Sequence, residues 1–258
     1  MKTHAAIDVS ELEAKVKRMY RAVADNPRGR YHFEMGRSLA ERLGYPRPTL
    51  DRIAFGALES FAGVGYFFDL TGLQAGEVVL DLGSGSGMDT FIAALQVGEG
   101  GRVVGVDMTD AQLLKADRLR AEVGLHQVSF IEGRIEALPF DDASFDAVIS
   151  NGVINLSPDK ERVFREAARV LRPGGRLGIA DIVTEFQLTE QIVCNVDLWA
   201  SCIGGASQQD AYLLAVQAAG LSIERMKKNP YEFVSNQARK ASATYGVRSI
   251  SLLARKGR

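Results

Sequence analysis

Cysteine is nearly absent from this 258-residue chain, which carries only Cys194 and Cys202. With no CxxC pair and no Cys/His cluster, neither a disulfide framework nor a zinc site is indicated, and no metal is expected. So few thiols read as a cytoplasmic chain. Charge of one sign is lacking too: Lys+Arg 31 against Asp+Glu 32 leaves a formal charge of -1. That is no basic excess of the kind that holds a phosphate backbone by counterion release, so no nucleic-acid partner is expected. No run approaches the roughly 20 apolar residues of a membrane span, and the N-terminal MKTHAAIDVSELEAKVKR lacks the apolar core of a signal peptide. No membrane partner is expected either. Internal repeats and low-complexity tracts are also missing. Oligomeric state is left open.

What is present is a chain with 46% hydrophobic residues, long enough for one main core and a small appended layer. Ser10 with Glu13 makes a capping-box pattern, after which Leu12, Val16, Met19, Tyr20 and Val23 recur at helical spacing. From Asn26 to Thr71 three prolines, several glycines and apolar clusters such as FAGVGYFFDL follow without strand alternation. Residues 1–71 therefore read as a lid of short helices and loops, and 72–258 as the main domain.

Beyond Val78 strands and helices alternate: VVLDL, a helix from about Asp89, RVVGVD, a helix after Thr109, VSFIEG, FDAVISN, a helix after Ser157, then RLGIAD. Such alternation specifies a parallel sheet with crossover helices. Thr109 with Gln112 reads as a capping box, and Ser157 followed by Pro158 as a helix start. Pro173-Gly174-Gly175 stops the helix whose buried face is Val163, Phe164, Ala167, Val170 and Leu171. A helical region is read through EQIVCNVDLWASCIGGA and Asp210 to Ala219. LSIERMK and VRSISLLAR close the chain as an antiparallel pair. The fold expected is α/β: a Rossmann-like, doubly wound, mostly parallel seven-stranded sheet with an N-terminal helical lid.

The sharpest local signal is Val79-Leu80-Asp81-Leu82-Gly83-Ser84-Gly85-Ser86-Gly87, an apolar strand running into a glycine-rich turn and then a helix. Glycines there let the backbone approach a ligand closely. The next strand ends in Asp107, about twenty residues on, where a carboxylate can accept both hydroxyls of an adenosine ribose; Met108 follows. G-x-G-x-G in place of G-x-G-x-x-G favours S-adenosylmethionine over a dinucleotide, whose pyrophosphate calls for the tighter fingerprint. The turn Gly133-Arg134-Ile135-Glu136-Ala137-Leu138-Pro139-Phe140 is placed to close over the adenine. Ser150-Asn151-Gly152-Val153-Ile154-Asn155-Leu156 is placed beside the methyl donor.

Asp81 to Gly87, Asp107, GRIEALPF and SNGVINLSPDKERVFREAARVLRPGGRLGIADIV together resemble the arsenite methyltransferases, within the wider family of ubiquinone and menaquinone C-methyltransferases. The likeness covers roughly Leu73 to Ala206. It implies S-adenosylmethionine as cofactor, contacted by Gly83, Ser84, Gly85, Asp107, Met108, Ile135, Glu136 and Asn151; Asp81, Gly87, Arg134 and Leu156 complete the cofactor-binding candidates. Arsenite methyltransferases hold trivalent arsenic with cysteines in the lid, after the Asn of the fourth strand, and in a later C-I-x-G-A segment. Here the second position is Gly152, the lid has no cysteine, and only Cys202 remains. Cys194 cannot join it on one continuous helix, because eight residues rise about 12 Å.

The expectation is thus methyl transfer to a small-molecule acceptor other than arsenite. Three alternatives stand beside it: a metalloid methyltransferase using Cys202 with external thiols, non-methylating cleavage or cyclisation of S-adenosylmethionine, and a non-catalytic binding module. The lid run Arg28 to Arg37 offers Arg30, Tyr31, His32 and Arg37 as grips for a polar or anionic substrate. Phe67, Trp199 and Cys202 complete the substrate candidates. No catalytic base stands out; His32, Tyr20 and Asn155 are the candidates.

Overall fold

The computed structural model describes residues 8–193, 203–234 and 236–257. The first helix, α1 (Val9–Asp25), is capped by Asp8, whose carboxylate accepts from the Ser10 and Glu11 amides at 2.9 and 3.0 Å. The Ser10/Glu13 capping box does not form. Glu13 instead pairs with Arg134 at 2.7 Å, a tertiary partner that local spacing does not announce. Leu12, Val16 and Val23 are buried along one stripe, each such side chain contributing about 1.5–3 kcal/mol. Four short helices follow: α2 (Arg37–Leu43), α3 (Arg47–Leu50), α4 (Phe55–Glu59) and α5 (Phe68–Thr71).

Among the described residues the sheet has eight strands: β1 (Val78–Leu82), β2 (Arg102–Asp107), β3 (Val128–Glu132), β4 (Phe145–Asn151), β5 (Leu171–Thr184), β6 (Ser207–Gln208), β7 (Leu221–Lys228) and β8 (Arg248–Lys256). The order is β3-β2-β1-β4-β5-β8-β7, with the two-residue β6 beside β5. Strands β1 to β5 are mutually parallel, whereas β8 runs antiparallel to both β5 and β7. The doubly wound arrangement is as expected; the eighth strand, β6, is too short to carry an alternation signal. β5 begins at Leu171 instead of Arg176, because Phe145 pairs with Leu171 and Ala147 with Arg176. The irregularity between them accommodates Pro173, which could not donate to a regular ladder.

The crossover helices are α6 (Met88–Val97), α7 (Asp110–Glu122) and α8 (Lys160–Val170), with α9 (Glu190–Val193), α10 (Gln209–Ala218) and α11 (Asn236–Tyr245) beyond β5. Two expected caps differ. Thr109 precedes α7, but neither it nor Gln112 closes a box: Gln112 donates to the Tyr20 carbonyl and accepts from Ser86 Oγ. Asp159, not Ser157, caps α8 by accepting from the Arg162 amide at 2.9 Å. The helix α11 was not foreseen, and most of the expected helical stretch through Cys194, Trp199 and Cys202 lies outside the described residues.

Period-2 alternation splits the core in two. Val79, Val103, Ala147 and Ile149 face α6, α7 and the N-terminal helices, which share that cluster. Leu80, Leu82, Val104 and Val148 face α8 and α10. Helices thus leave β1 on one face and β4 on the other, opening a crevice at the carboxyl ends of these two neighbours. Among the described residues no helix is long and apolar enough to cross a membrane.

Candidate active site

The crevice is occupied by a cleft enclosing about 1180 Å³ of empty space, mouth included. Its floor is the turn after β1. Gly83 adopts φ +69°, and a Cβ there would lie 2.4 Å from Val153, so only glycine fits. The Ser84 hydroxyl is buried with no hydrogen-bond partner, and Gly85 also has positive φ. One wall is Asp107, whose carboxylate accepts from the Gly85 amide at 2.9 Å and the Thr109 amide at 2.8 Å. Met108, Arg134, Ile135 and Glu136 continue it. Ser157 Oγ donates to Glu136 at 2.5 Å, fixing that turn against the segment before α8.

Asn151 at the end of β4 ties the opposite wall together. Its Oδ1 accepts from the Val64 amide at 2.7 Å, and its Nδ2 donates to the Gly65 carbonyl, to Tyr45 Oη and to Asp89 Oδ2. Tyr45 Oη donates in turn to Asp89 Oδ1 at 2.7 Å. The stretch Phe61 to Gly63 is thereby held over the cleft, with Leu12, Val16 and Tyr20 of α1 completing the roof.

Eleven of the twelve cofactor candidates line this cleft: Asp81, Gly83, Ser84, Gly85, Asp107, Met108, Arg134, Ile135, Glu136, Asn151 and Leu156. The twelfth, Gly87, starts α6 instead and packs against Phe91 and Phe130. Tyr20 lines the cleft, but Asn155 is fully buried beside Asp181 and does not. None of the N-terminal substrate candidates reaches it. Arg37 is held by Glu41 and Asp51, and Tyr31 Oη donates to the Ala22 and Asn26 carbonyls. His32 packs edge-on against Phe33, Phe67 is fully buried core, and Arg30 is absent from the lining. Trp199 and Cys202 lie outside the described residues.

Sequence reasoning missed Asp89, Gln112, Ser157 and the Phe61–Gly63 stretch, all in the lining. Only the apolar stripe of α1 was visible as periodicity.

Burial raises the Asp81 carboxyl to about 8, reinforced by neighbouring Asp89 and opposed by the Thr90 hydroxyl. Burial likewise lifts Asp89 to about 6 against the hydrogen bonds of Tyr45 and Asn151. Asp107 is also raised by burial, with the backbone amides opposing. A carboxyl raised on folding keeps a proton that the unfolded chain has released, so its contribution to stability falls as pH rises through the folded value. A cation entering the cleft reverses this by favouring the ionised form. Binding of S-adenosylmethionine at pH 7 should therefore release up to about one proton. Calorimetry in buffers of different ionisation enthalpy checks it. Asp81→Asn should remove most of the release, and proton uptake by the native protein would sink the assignment.

A doubly wound sheet with a glycine-floored crevice at its switch point, an acid at the end of β2 and an unpartnered buried hydroxyl defines the class I S-adenosylmethionine-dependent methyltransferases. The chemistry of the lining suits that cofactor, with buried acids available to a cationic group, the unpartnered Ser84 hydroxyl to a polar one, and apolar Met108 and Ile135 to a ring. Residues 73–233 match the family described as the methyltransferase domain, and the chain belongs to that family. The arsenite methyltransferase of Halobacterium salinarum is 40% identical over 199 residues, covering 76% of this chain and 51% of that protein. The ubiquinone/menaquinone C-methyltransferase UbiE of Enterobacter sp. strain 638 is 40% identical over 123 residues, 47% of each chain. The chain thus spans about half the length of the curated relatives it matches. CrArsM, an arsenic(III) S-adenosylmethionine methyltransferase from Chlamydomonas reinhardtii, superposes with TM-score 0.65 at 32% identity, over 87% of this chain and 75% of that one. The relation to the arsenite branch, and S-adenosylmethionine as cofactor, follow from these matches.

Proposed function

We propose that the chain transfers the methyl group of S-adenosylmethionine to a small-molecule acceptor other than arsenite. The carrying observation is Gly152, at the position where the resemblance to the arsenite branch leads one to expect a cysteine. It has φ +72°, and a Cβ would lie 3.2 Å from Val64, so the backbone itself disfavours a thiol-bearing residue. Trivalent arsenic needs soft thiolate ligands, and the chain has two cysteines in all, Cys194 and Cys202, both outside the described residues.

In this reading Asp107 holds the ribose hydroxyls, Met108 and Ile135 flank the adenine, and Gly83 to Gly85 with Ser84 meet the amino-acid end. When bound, the cofactor supplies an electrophilic methyl group on a sulfonium. The protein's part is mainly to align an acceptor with that group and to exclude water, with Leu12, Val16 and Phe61 as the apolar cover. The cytoplasmic setting belongs to the same proposal, supported by the scarcity of cysteine.

The test incubates the protein with S-adenosylmethionine, with and without arsenite plus glutathione, and analyses nucleosides and arsenicals by mass spectrometry. No methylarsenical should form. Arsenite-dependent S-adenosylhomocysteine together with methylarsenical would overturn the proposal, and methylthioadenosine without any acceptor would point to cleavage of the cofactor instead.

A further inference from the structure

The cleft has two chemically distinct ends. The Asp107 end holds the glycine turn and the Ile135 wall. At the Asp89 end, Asp89 contacts Asn151 and Tyr45, and the Tyr45 ring packs edge-on against Phe61 at 5.2 Å between centroids. Phe61 thus lies beside that end, and Gly63 packs against Phe61 and Asn151; Ala62, Leu12, Val16 and Met88 add apolar lining to the cleft.

The charges lining the cleft are one-sided. Glu13, Asp81, Asp89, Asp107 and Glu136 are acids, and Arg134 is the only Lys or Arg among the described lining residues. Arg134 is already paired with Glu13 at 2.7 Å. Among the described residues no free cationic fork is offered to a carboxylate or phosphate, and the ionised acids disfavour an anionic acceptor. The apolar roof suits an apolar body. Asp89 is then the acceptor end's one ionisable contact, with lone pairs still available beyond the two donors that fix it.

We propose that this end of the cleft takes a neutral, largely apolar molecule bearing one acidic hydroxyl, and that Asp89 accepts the proton of that hydroxyl as its oxygen is methylated. The proposal rests on the methyltransferase reading above. The O–H bond breaks with its proton passing to the Asp89 carboxylate, the oxygen lone pair forms the new bond to the methyl carbon, and the carbon–sulfur pair stays on sulfur. Water then takes the proton from Asp89. Tyr45 and Asn151 hold the carboxylate in place. Of the titratable groups around it, Tyr45 bonds to it directly, and Tyr66 and Asp81 are near enough for its charge to raise them. A carboxyl raised to about 6 is a stronger base than an ordinary aspartate and is still mostly ionised at pH 7.

The experiment uses the full chain with S-adenosylhomocysteine, then adds 2-naphthol or 2-naphthoate, probes that share a ring system and differ in charge. S-adenosylhomocysteine should bind; its failure to do so would overturn the cofactor reading itself. On that complex, 2-naphthol should bind at least about 10-fold more tightly than 2-naphthoate, and labelled S-adenosylmethionine should yield 2-methoxynaphthalene. Asp89→Asn should lower kcat by about 100-fold, remove the acid limb of the pH profile near 6, and leave S-adenosylhomocysteine affinity within about threefold. With the homocysteine complex formed, three results each overturn the proposal: naphthoate binding as tightly as naphthol, no methoxynaphthalene, or an Asp89→Asn variant whose only loss is cofactor affinity.

Discussion

Asp107→Ala should weaken S-adenosylmethionine binding by about 100-fold or more, the largest loss expected of any single substitution in the cleft. Two hydrogen bonds from ribose hydroxyls to an ionised carboxylate contribute about 1.5–3 kcal/mol each when formed away from water. Even the lower figure, doubled, corresponds to roughly two decades in Kd. Asp107 also holds the Gly85 and Thr109 amides, so part of the loss comes from a slackened turn. Asp107→Asn separates the parts. It keeps the shape and one acceptor oxygen and should lose only about 10-fold. Titration calorimetry reads both, with thermal melts confirming folding. A Kd within threefold of native for the alanine variant would remove Asp107 from the ribose site.

The residues around Asp107 were legible because their signals are local. A strand ending in an acid, preceded by a glycine turn about twenty residues earlier, encodes one crossover unit and needs no distant partner. Strand alternation set the parallel order for the same reason, and the antiparallel pair β7 and β8 was readable from its β-rich runs. Where side chains choose tertiary partners, sequence spacing misled. Gln112 stands at a capping-box position yet bonds to Tyr20 and Ser86, contributed by α1 and by the glycine turn. The cationic run from Arg28 to Arg37 looked like a substrate grip, but Arg37 is occupied by Glu41 and Asp51. Asp89 carried no signal at all: its importance comes from Tyr45, far away in the chain, and from Asn151 in β4. A buried carboxylate cannot be told from an exposed helix-start acid until the fold brings its donors to it.

Asn151→Ala should destabilise the protein by about 3 kcal/mol, or roughly 6–12 °C in Tm for a chain of this size. The side chain joins β4, α6 and the Val64–Gly65 backbone in one network. Deleting it strips the Val64 amide and the Gly65 carbonyl of a partner and takes one of two side-chain donors from a buried acid. The segment would not come free, because Ser249 and Ser251 of β8 still donate to the Val64 and Tyr66 carbonyls at 2.6 and 3.0 Å. The loss should therefore be local, seen as faster hydrogen exchange at Val64 and Gly65 with the sheet amides unchanged. A double-mutant cycle with Asp89→Asn should show coupling above about 1 kcal/mol, since each residue satisfies the other. Additive effects would mean that Asn151 acts on the backbone alone. A total loss below about 1 kcal/mol would mean that the β8 hydroxyls suffice to hold the roof. Because that roof carries Phe61, which packs on Tyr45 beside Asp89, a loosened roof should also raise KM for an acceptor more than it lowers cofactor affinity.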